Sequence, residues 1–373
     1  MIYLDYSATT PVDERVLETF NRVSREYPGN SNSLHSLGVK SKSLENYATE
    51  QIAKMLKVKK SEIIYTSGAS ESNNLAIKGI CHKYQNRGKH IITTFLEHSS
   101  VIGPLNYLSN QGFEVDFVKI DDKGLVDLDS LKSLLRDDTI LVSICMVDSE
   151  IGLQQPIKEI AKILKNYPKC YFHVDCTQAF GKIPVDLTDI DLASMSAHKI
   201  YGLKGIGLLI KKENIVIDSL IHGGKSTTSY RSGTPALPLI VSLAKSFELI
   251  LPNIEKNYQY VKKLNNMIKD KLSTYEYVNI NSTEYSIPHT INFSLKGIKP
   301  ETFIHALDKH DIYISTKSAC SNSDSISNAV YALTKNRELA NQSIRISLSF
   351  LTTKEEVETF LKVFDECYQK LQM

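Results

Sequence analysis

Residues 171–199 read YFHVDCTQAFGKIPVDLTDIDLASMSAHK, and this stretch decides the predicted fold. Two short apolar runs, residues 171–174 and 192–196, have the length and composition of buried strands. Polar residues follow each run: Asp175 and Gln178 after the first, His198 and Lys199 after the second. Because ligands bind at the carboxyl ends of strands in parallel sheets, these four residues are candidates for a functional site.

The same alternation extends on both sides of this stretch. From about residue 50 to residue 225, short apolar runs alternate with amphipathic stretches such as residues 72–84 and 157–166. The other predicted strands are residues 62–66, 90–94, 113–120, 140–146 and 207–210. Strands that alternate with helices indicate a mostly parallel sheet covered on both faces. We therefore predict an α/β fold whose larger domain contains a mostly parallel seven-stranded sheet.

The pattern changes after the Ser/Gly/Pro-rich residues 223–238. A long helical pattern at about 239–272, interrupted near Pro252, is followed by two strand-like and two helical stretches: strands 290–294 and 344–348, helix 300–309 and a last helix from residue 353. A polar stretch, residues 315–327, lies between them. This composition predicts a smaller α+β domain. We expect residues 15–250 to form the large domain, and residues 1–14 and 251–373 the small one.

Two more predicted strands end in unusual polar groups. The strand at 62–66 is followed by Ser67-Gly68-Ala69-Ser70, and the strand at 90–94 by His98. Pyridoxal phosphate needs this set of groups: a Lys amine for its aldehyde, a carboxylate for its pyridine nitrogen, and helix N-terminal amides and hydroxyls for its phosphate. The strand ends together predict a pyridoxal-phosphate site.

Composition excludes several other classes of protein. The chain has 373 residues, 42% of them hydrophobic, and 44 Lys and Arg against 42 Asp and Glu. No basic block supports nucleic-acid binding, and the N-terminus lacks the pattern of a signal peptide. No apolar run is expected to approach the roughly 20 residues of a membrane span. We expect a cytoplasmic protein that contacts neither membrane nor nucleic acid.

The six cysteines predict neither a metal site nor a disulfide framework, because no C-x-x-C or Cys/His spacing typical of zinc is present. The Walker-like residues 223–226 lack the first glycine of that motif, and no dinucleotide fingerprint is present.

An ordered series of motifs extends over the chain: YLDYSATTP at 3–11, GN at 29–30, SLH at 33–35, TSGASES at 66–72, EH at 97–98, EIG at 150–152, HVDCTQ at 173–178, SAHK at 196–199, RSGT at 231–234, SAC at 318–320 and SIR at 343–345. On these motifs the chain resembles the NifS/IscS-type cysteine desulfurases, pyridoxal-phosphate enzymes of the class V aminotransferase group. The resemblance implies the fold type I of pyridoxal-phosphate-dependent transferases, with the two domains predicted above.

The resemblance also implies roles for individual residues. Lys199 would form the Schiff base, His98 would stack on the cofactor ring, Asp175 would pair with the ring nitrogen, and Gln178 would reach the phenolic oxygen. The phosphate would be held by Ala69, Ser70, Ser196 and His198. Thr234 would reach the phosphate of a partner subunit, which implies a homodimer. Arg345 and Ser149 would bind the substrate carboxylate.

Cys320 would be the nucleophile, on a polar and mobile loop at about 315–328. L-Cysteine would become L-alanine, with Lys199 as the base at Cα and His98 as a proton carrier for the substrate thiol. The sulfur would remain on Cys320 as a persulfide. A sulfur-acceptor protein would then take it for iron–sulfur cluster assembly or tRNA thiolation.

Two alternatives stay open at this point. One is another class V enzyme, either a selenocysteine lyase or an aminotransferase. The other is a weakly active relative that acts as a partner-binding subunit, because Asp148-Ser149 stands where the family has Asn-Asn. The shorter Ser149 and the negative Asp148 are expected to weaken cysteine binding by roughly 1–2 kcal/mol. Lys317, in place of a glycine, would lower the pKa of the Cys320 thiol.

Overall fold

The computed structural model of the chain describes residues 1–316 and 326–372. Within these residues, strands form three sheets. The strands are β1 (Ile2–Tyr3), β2 (Ile63–Thr66), β3 (His90–Thr93), β4 (Glu114–Phe117), β5 (Thr139–Cys145), β6 (Tyr171–Asp175), β7 (Leu192–Ser196), β8 (Gly207–Lys211), β9 (Val278–Ile280), β10 (Thr290–Leu295), β11 (Ile312–Tyr313) and β12 (Ser343–Ser347).

Helices cover both faces of the largest sheet and one side of the smaller sheets. They are α1 (Glu14–Glu26), α2 (Ser36–Leu56), α3 (Ala69–Tyr84), α4 (Ser99–Ser109), α5 (Leu128–Leu134), α6 (Ile157–Leu164), α7 (Leu237–Ile250), α8 (Ile254–Leu272), α9 (Pro300–Asp308), α10 (Asn328–Thr334), α11 (Arg337–Asn341) and α12 (Lys354–Gln372). Several begin at a side-chain cap, as α1 does at Asp13 and α5 at Asp127.

The largest sheet has seven strands in the order β2-β8-β7-β6-β5-β3-β4. Strand β8 is antiparallel to both of its neighbours, and all other pairs in this sheet are parallel. Every residue of β5, β7 and β8 is buried, which explains why these strands are continuous apolar runs in the sequence. The predicted α/β fold with a mostly parallel seven-stranded sheet is confirmed.

Strand direction brings the predicted site together. Strands β2, β3, β5, β6 and β7 all run the same way, so their carboxyl ends lie at one edge of the sheet. Asp175 is paired with Ser194 in the register of β6 and β7. The residues that follow these strands therefore surround one region, as the rule for open α/β sheets requires.

A second apolar core lies around the antiparallel sheet β12-β10-β9. Helices α8, α9 and α12 pack on this sheet, and aromatic side chains form the centre of the core: Phe293 of β10, Phe303 of α9, and Phe360 and Phe364 of α12 are fully buried. The short parallel pair β1–β11 joins the N-terminus to this part of the chain. We keep the division at residues 15–250 as our proposal for the domains. Apart from Ile287, the buried residues of the cores against the large sheet lie within this range, and those of the second core lie outside it.

The N-terminal segment connects the two cores. Ser7 donates its backbone N–H to the Ser347 hydroxyl at 2.8 Å, next to the end of β12. Three residues later, the Thr10 N–H donates to the His198 carbonyl at 2.9 Å, just after β7. Residues 7–10 therefore cross directly over the carboxyl edge of the large sheet.

The predicted elements and the observed ones differ mainly at their ends. Each of the seven large-sheet strands lies within three residues of its prediction, and the predicted break near Pro252 is a 3-10 turn, Leu251–Asn253, between α7 and α8. Helices α1 and α2 precede the region in which we predicted elements. Strands β1 and β11 are two residues long and pair with each other across about 310 residues of chain, so no local sequence pattern could predict them.

The expectation about apolar runs was wrong. Residues Leu237–Leu272 contain a window that is long and apolar enough to cross a membrane, by length and composition alone. In the structure, α7 turns Ile240, Leu243, Phe247 and Ile250 into the apolar core that also contains Ile144 and Phe172 of the large sheet. These contacts are those of a core helix.

Candidate active site

A cavity of about 390 Å³ lies at the carboxyl edge of the seven-stranded sheet. Its wall contains ten of the twelve predicted site residues: Ala69, Ser70, His98, Ser149, Asp175, Gln178, Ser196, His198, Lys199 and Arg345. A larger cavity of about 980 Å³, near Phe180 and Tyr258, contains no predicted site residue among its described lining residues. The smaller cavity is therefore the one that brings the predicted site residues together.

The turn between β2 and α3 forms one end of this cavity. Gly68 precedes α3 with φ +154°, a conformation that favours glycine, and it brings no side chain to cap the first helical turn. A Cβ on Gly68 would lie 3.3 Å from the Ser196 hydroxyl oxygen. The backbone of the turn and the Ser196 hydroxyl thus form a narrow cradle in which helix N–H groups are available to an anion.

Asp175 lies at the end of β6, where it is 6% exposed. Its carboxylate accepts from the Asn73 amide at 2.8 Å and from the Thr177 backbone N–H at 2.9 Å. These two donors fix the direction of the carboxylate within the cavity wall. The Thr177 hydroxyl is buried and has no hydrogen-bond partner among the described residues.

His98 caps the N-terminus of α4. Its Nδ1 accepts from the Ser100 backbone N–H at 3.1 Å and lies 2.8 Å from the Ser100 hydroxyl. Since a backbone N–H can only donate, Nδ1 is unprotonated, and the hydrogen bonds assign the proton of the neutral ring to Nε2. Burial lowers the pKa of His98, a shift that the nearby Asp175 opposes. Neutral pH therefore favours the uncharged ring.

One hydrogen-bond network joins His98 to Asp175. The Asn73 amide donates to the Ser100 hydroxyl at 2.9 Å as well as to Asp175, and Ser100 contacts His98. Asn73 is fully buried in the second turn of α3. A change at Asn73 would disturb the acid and the imidazole together.

Lys199 ends a single 3-10 turn, Ala197–Lys199, directly after β7. Its amine donates to the backbone carbonyls of Ser7 and Ala8, the latter at 2.7 Å. The N-terminal segment therefore lies against the amine. The two carbonyls hold it at the cavity wall by hydrogen bonds that a covalent partner of the amine would replace.

His198 lies beside Lys199 with its Nδ1 at 3.2 Å from the Thr9 hydroxyl. Burial, Lys199 and Lys204 lower the pKa of His198 to about 4. The ring is therefore neutral at physiological pH, and it would meet a phosphate as a neutral hydrogen-bond donor.

Arg345, on β12, is 1% exposed and reaches the cavity from the side of the smaller sheet. Its Nη2 donates to the Asp5 carboxylate at 2.8 Å, and its Nη1 donates to the Ser149 carbonyl at 2.9 Å. Its Nε is buried and has no acceptor among the described residues. The guanidinium is thus held from two sides with part of its donor capacity unused.

Asp148 holds the turn that presents Ser149. Its carboxylate accepts from the backbone N–H groups of Glu150, Ile151 and Leu153 at 2.7–2.9 Å. Burial raises the pKa of Asp148 to about 6. The Asp148 carboxylate, whose negative charge we expected to lie beside the substrate, therefore accepts hydrogen bonds from three backbone N–H groups.

Glu97, next to His98, is a second buried acid. It accepts from the Thr94 hydroxyl at 2.7 Å and from the Cys145 backbone N–H at 2.8 Å, while its other oxygen has no partner among the described residues. Burial raises the pKa of Glu97 to about 8. Glu97 is therefore mostly neutral at pH 7, and it ties the start of α4 to the end of β5.

Two predicted site residues lie elsewhere. Thr234 lines a separate cavity of about 80 Å³, which shares Ser67 and Gly205 with the main one. Cys320, like Lys317, lies outside the described residues. The flanking Ser315 exchanges two backbone hydrogen bonds with Arg345, and Ser327 donates its hydroxyl to the Glu150 carboxylate. Both flanks of the Cys320 segment are thus attached to elements that line the cavity.

The residues of the cavity fit pyridoxal phosphate. They supply an amine, a fixed carboxylate, a neutral imidazole and an anion cradle, and the Thr177 hydroxyl has no partner within residues 1–316 and 326–372. A carboxylate facing the ring nitrogen, an amine for the aldehyde and helix N–H groups for the phosphate match the three polar ends of this cofactor.

Sequence reasoning missed several residues that shape this site: Asp5, Asn73, Glu97 and Lys182. Asn73 had a signal, because it lies four residues after Ala69 on the same face of α3, and Glu97 directly precedes a predicted site residue. Asp5 had none, because it meets Arg345 only through the pairing of chain segments 340 residues apart.

The comparisons with known proteins cover nearly the whole chain. Residues 2–360 match the family described as aminotransferase class-V. Cysteine desulfurase IscS of Dictyoglomus turgidum is 39% identical over 375 residues, which is 99% of this chain and 95% of that protein. The NifS/IcsS protein homolog of Lactobacillus delbrueckii subsp. bulgaricus is 40% identical over 378 residues, 99% of this chain and 97% of that protein.

Solved structures agree with these relatives. A NifS-like protein superposes with a TM-score of 0.94 at 36% identity, over 99% of both chains. A structure described as SspA in complex with cysteine superposes with a TM-score of 0.83 at 31% identity, over 95% of this chain and 100% of that one.

Proposed function

Because the chain belongs to the class V aminotransferase family, and within it to the NifS/IscS-type cysteine desulfurases, we propose that it is a pyridoxal-phosphate-dependent enzyme that takes sulfur from L-cysteine and leaves L-alanine. The observation that carries the proposal is the Lys199 amine in the wall of the same cavity as Asp175 and Arg345. An amine, an acid and a carboxylate-binding guanidinium are what an amino-acid enzyme of this class needs.

The cofactor contacts follow from the cavity wall. Lys199 would hold pyridoxal phosphate covalently, Asp175 would face the ring nitrogen and His98 would lie on the ring. Gln178 would donate to the phenolic oxygen, and the phosphate would lie in the cradle of Ala69, Ser70, Ser196 and His198. The bound cofactor supplies an electron sink for charge that develops at the substrate Cα.

Arg345 would bind the carboxylate of L-cysteine. Its guanidinium is fixed by Asp5 and the Ser149 carbonyl, so little side-chain freedom remains to be lost when the substrate binds. A planar, bidentate donor suits a carboxylate, and the unused Nε–H gives the guanidinium a further donor. We propose that Ser149 contributes to the same subsite from the turn held by Asp148.

Proton transfer would involve two residues. Lys199, once its amine is released by the incoming substrate, would take the proton from Cα. His98 carries its ring proton on Nε2, while Nδ1 is held by the Ser100 N–H. We propose that Nε2 is the atom through which His98 exchanges a proton with the substrate thiol.

Sulfur transfer would use Cys320. Its thiolate attacks the substrate sulfur, an S–S bond forms, and the Cβ–S bond breaks with its electron pair kept on the substrate carbon. Protonation of that carbon completes L-alanine. The enzyme thiol and L-cysteine are thereby converted to an enzyme persulfide and L-alanine, with no external oxidant or reductant.

We further propose a cytoplasmic homodimer that passes its sulfur to an acceptor protein, for iron–sulfur cluster assembly or for tRNA thiolation. Thr234 lines a cavity that is separate from the active-site cavity of the same subunit, as suits a residue that binds the phosphate of a partner subunit. The names of the relatives support the desulfurase reaction itself.

The test measures alanine and sulfide formed from L-cysteine in the presence of a thiol reductant. We expect the wild type to form alanine and sulfide in equal yields. We expect Cys320→Ser to form no sulfide and to keep the cofactor absorbance. Cys170→Ser is the matched control, because Cys170 is buried and outside the lining of the cavity. Unchanged sulfide in Cys320→Ser would contradict the role of Cys320. Formation of 3-mercaptopyruvate from L-cysteine in the presence of an α-keto acid, in place of alanine, would favour the aminotransferase alternative.

A further inference from the structure

Lys182 is a buried lysine beside the active-site cavity. It lies in the helical turn that follows β6, where its N–H donates to the Ala179 carbonyl at 3.1 Å, and the residue is only 7% exposed. A fully buried lysine is rare unless it is paired. No carboxylate lies within ion-pair distance of Lys182 among the described residues.

The charges around Lys182 disfavour its protonation. Burial, together with the cations Lys199 and Arg345, lowers the pKa of the Lys182 amine to about 7. His289 is its other titratable neighbour, and burial together with Lys182 lowers the pKa of that imidazole to about 3. The surroundings therefore destabilise a buried ammonium, so the position of this amine carries a cost in folding free energy.

The hydrogen bond of the Lys182 amine that the described part of the chain shows is with Gln178. The amine donates to Gln178 Oε1, while Gln178 Nε2 donates to the Ser7 carbonyl at 3.0 Å. The Lys182 amine carries N–H donors in both of its protonation states and a backbone carbonyl offers only lone pairs, so both contacts assign the amide in the same sense. The orientation of Gln178, which hydrogen bonds normally leave open to a flip, is thus determined twice.

This orientation has a consequence for the cavity. Gln178 lines the cavity, and its Nε2 carries two N–H groups, of which the Ser7 carbonyl takes one. With Oε1 engaged by Lys182, the side chain can offer the cavity an N–H and cannot offer it a carbonyl oxygen. A donor is the group that a phenolic oxygen of pyridoxal phosphate requires.

We propose that Lys182 is a positioning residue that fixes Gln178 as a hydrogen-bond donor toward the phenolic oxygen of the cofactor. This inference rests on the proposed function, because it presumes that pyridoxal phosphate occupies the cavity. Lys182 acts through Gln178 and does not itself line the cavity.

The test compares Lys182→Met, Gln178→Leu and the double variant, each loaded with pyridoxal phosphate. Met matches Lys in length and removes the donor. The readouts are the pH midpoint of the absorbance change of the bound cofactor and the dissociation constant of pyridoxal phosphate from the apoprotein. Lys211→Met is the control, since Lys211 is 1% exposed and donates only to the backbone carbonyls of Lys212 and Ile215.

We expect the midpoint of Lys182→Met to rise by about 0.5–1 pH unit, because a phenolic oxygen without its donor holds a shared proton more tightly. We also expect the dissociation constant of pyridoxal phosphate to rise roughly tenfold in Lys182→Met. Gln178→Leu should show the same rise, and adding Lys182→Met to it should change nothing more. Lys211→Met should keep the wild-type midpoint.

Three results would overturn the inference. In the first, the pH midpoint of Lys182→Met equals that of the wild type while the midpoint of Gln178→Leu shifts. In the second, Lys182→Met still shifts the midpoint when it is added to Gln178→Leu. A Lys182→Met chain that does not fold would assign Lys182 a structural role instead. A wild-type protein that takes up no pyridoxal phosphate is a separate outcome, because it overturns the proposed function and the inference with it.

Discussion

Arg345 illustrates how single residues set the chemistry of this protein. Its guanidinium is buried between Asp5 and the Ser149 carbonyl, and both contacts come from chain segments far from β12. A buried guanidinium needs such partners, because an unpaired buried charge is strongly destabilising. The same partners orient it for a second carboxylate, that of the substrate.

Replacing Arg345 with Lys tests this role. A lysine keeps the charge but cannot contact Asp5, Ser149 and a substrate carboxylate at once, so we expect KM for L-cysteine to rise by about 10- to 100-fold. Because the contact would be present both before and during reaction, kcat should change little. Arg15→Lys is the control, since Arg15 forms an exposed ion pair with Asp13. An unchanged KM in Arg345→Lys would contradict the assignment.

At the scale of single residues, the sequence predicted which residues form the site, but not which groups contact them. Asp175, His98 and Lys199 could be singled out because each follows a strand of a parallel sheet. The contacts that tune them are long-range: Asn73 reaches Asp175 across 102 residues, and Lys199 reaches Ala8 across 191. No local pattern in the sequence encodes such contacts.

The turn from β2 to α3 is the element on which cofactor affinity depends most directly. Gly68→Ala would place a methyl group 3.3 Å from the Ser196 hydroxyl and strain a backbone at φ +154°. We expect unfolding of the apoprotein to become easier by about 1–3 kcal/mol, and the dissociation constant of pyridoxal phosphate to rise at least about tenfold. Equilibrium unfolding in urea and cofactor titration measure the two effects.

Gly103→Ala is the matched control for this turn. Gly103 lies inside α4, and an added Cβ would meet nothing within 4 Å. Alanine there should stabilise the protein by about 0.5–1 kcal/mol and leave the cofactor affinity unchanged. Equal cofactor affinities in Gly68→Ala and Gly103→Ala would contradict the cradle.

The connection of β3, α4 and β5 through Glu97 predicts a pH dependence of stability. The pKa of Glu97 is raised by burial to about 8 in the folded protein, against roughly 4.3 in an unfolded chain. Between these values the folded state binds more protons than the unfolded state, so this group lowers the free energy of unfolding as pH rises. Glu97→Gln should remove this fall in the free energy of unfolding with rising pH.

We therefore expect Glu97→Gln to gain stability relative to the wild type as the pH is raised from 6 to 9. Thermal or urea unfolding of both proteins at each pH gives the difference. Parallel pH curves for the two proteins would mean that Glu97 ionises at its ordinary pKa, and would contradict its burial as a neutral acid.

Elements were predictable where burial imposes a simple pattern. The strands of the large sheet are covered on both faces, so they are short continuous apolar runs, and all seven were found. The ends were less accurate: residues 113–120 were predicted as one strand, and β4 covers only Glu114–Phe117, an edge strand in which no residue is fully buried. β4 carries the apolar pattern weakly because its residues are only partly buried, whereas β2, at the other edge of the sheet, is buried at every residue.

On the scale of the whole molecule, the N-terminal segment links the two cores and the site. Residues 7–10 contact Ser347 on one side and Lys199 and His198 on the other. The site is thus formed by both parts of the chain, and the antiparallel sheet supplies Arg345 to a cavity that the parallel sheet otherwise builds.

The proposed homodimer should depend on the exposed apolar surface near the start of α2. Leu34 is 96% exposed and Leu37 is 51% exposed, and the nearby Asn32 contacts Ser226, which lies eight residues before Thr234. We expect Leu34→Glu to convert the dimer to a monomer in sedimentation analysis, with a matching loss of desulfurase activity. Tyr277→Glu, at a residue 44% exposed in the turn before β9, is the control. A dimeric Leu34→Glu would contradict this interface.

The most direct test of the whole account is the covalent site of pyridoxal phosphate. Reduction of the loaded protein with borohydride, digestion and mass spectrometry identify the lysine that carries the pyridoxyl group. We expect the label on Lys199, at stoichiometry near one per chain. A label on another lysine such as Lys204 or Lys182, or no label on a fully folded protein, would contradict the account.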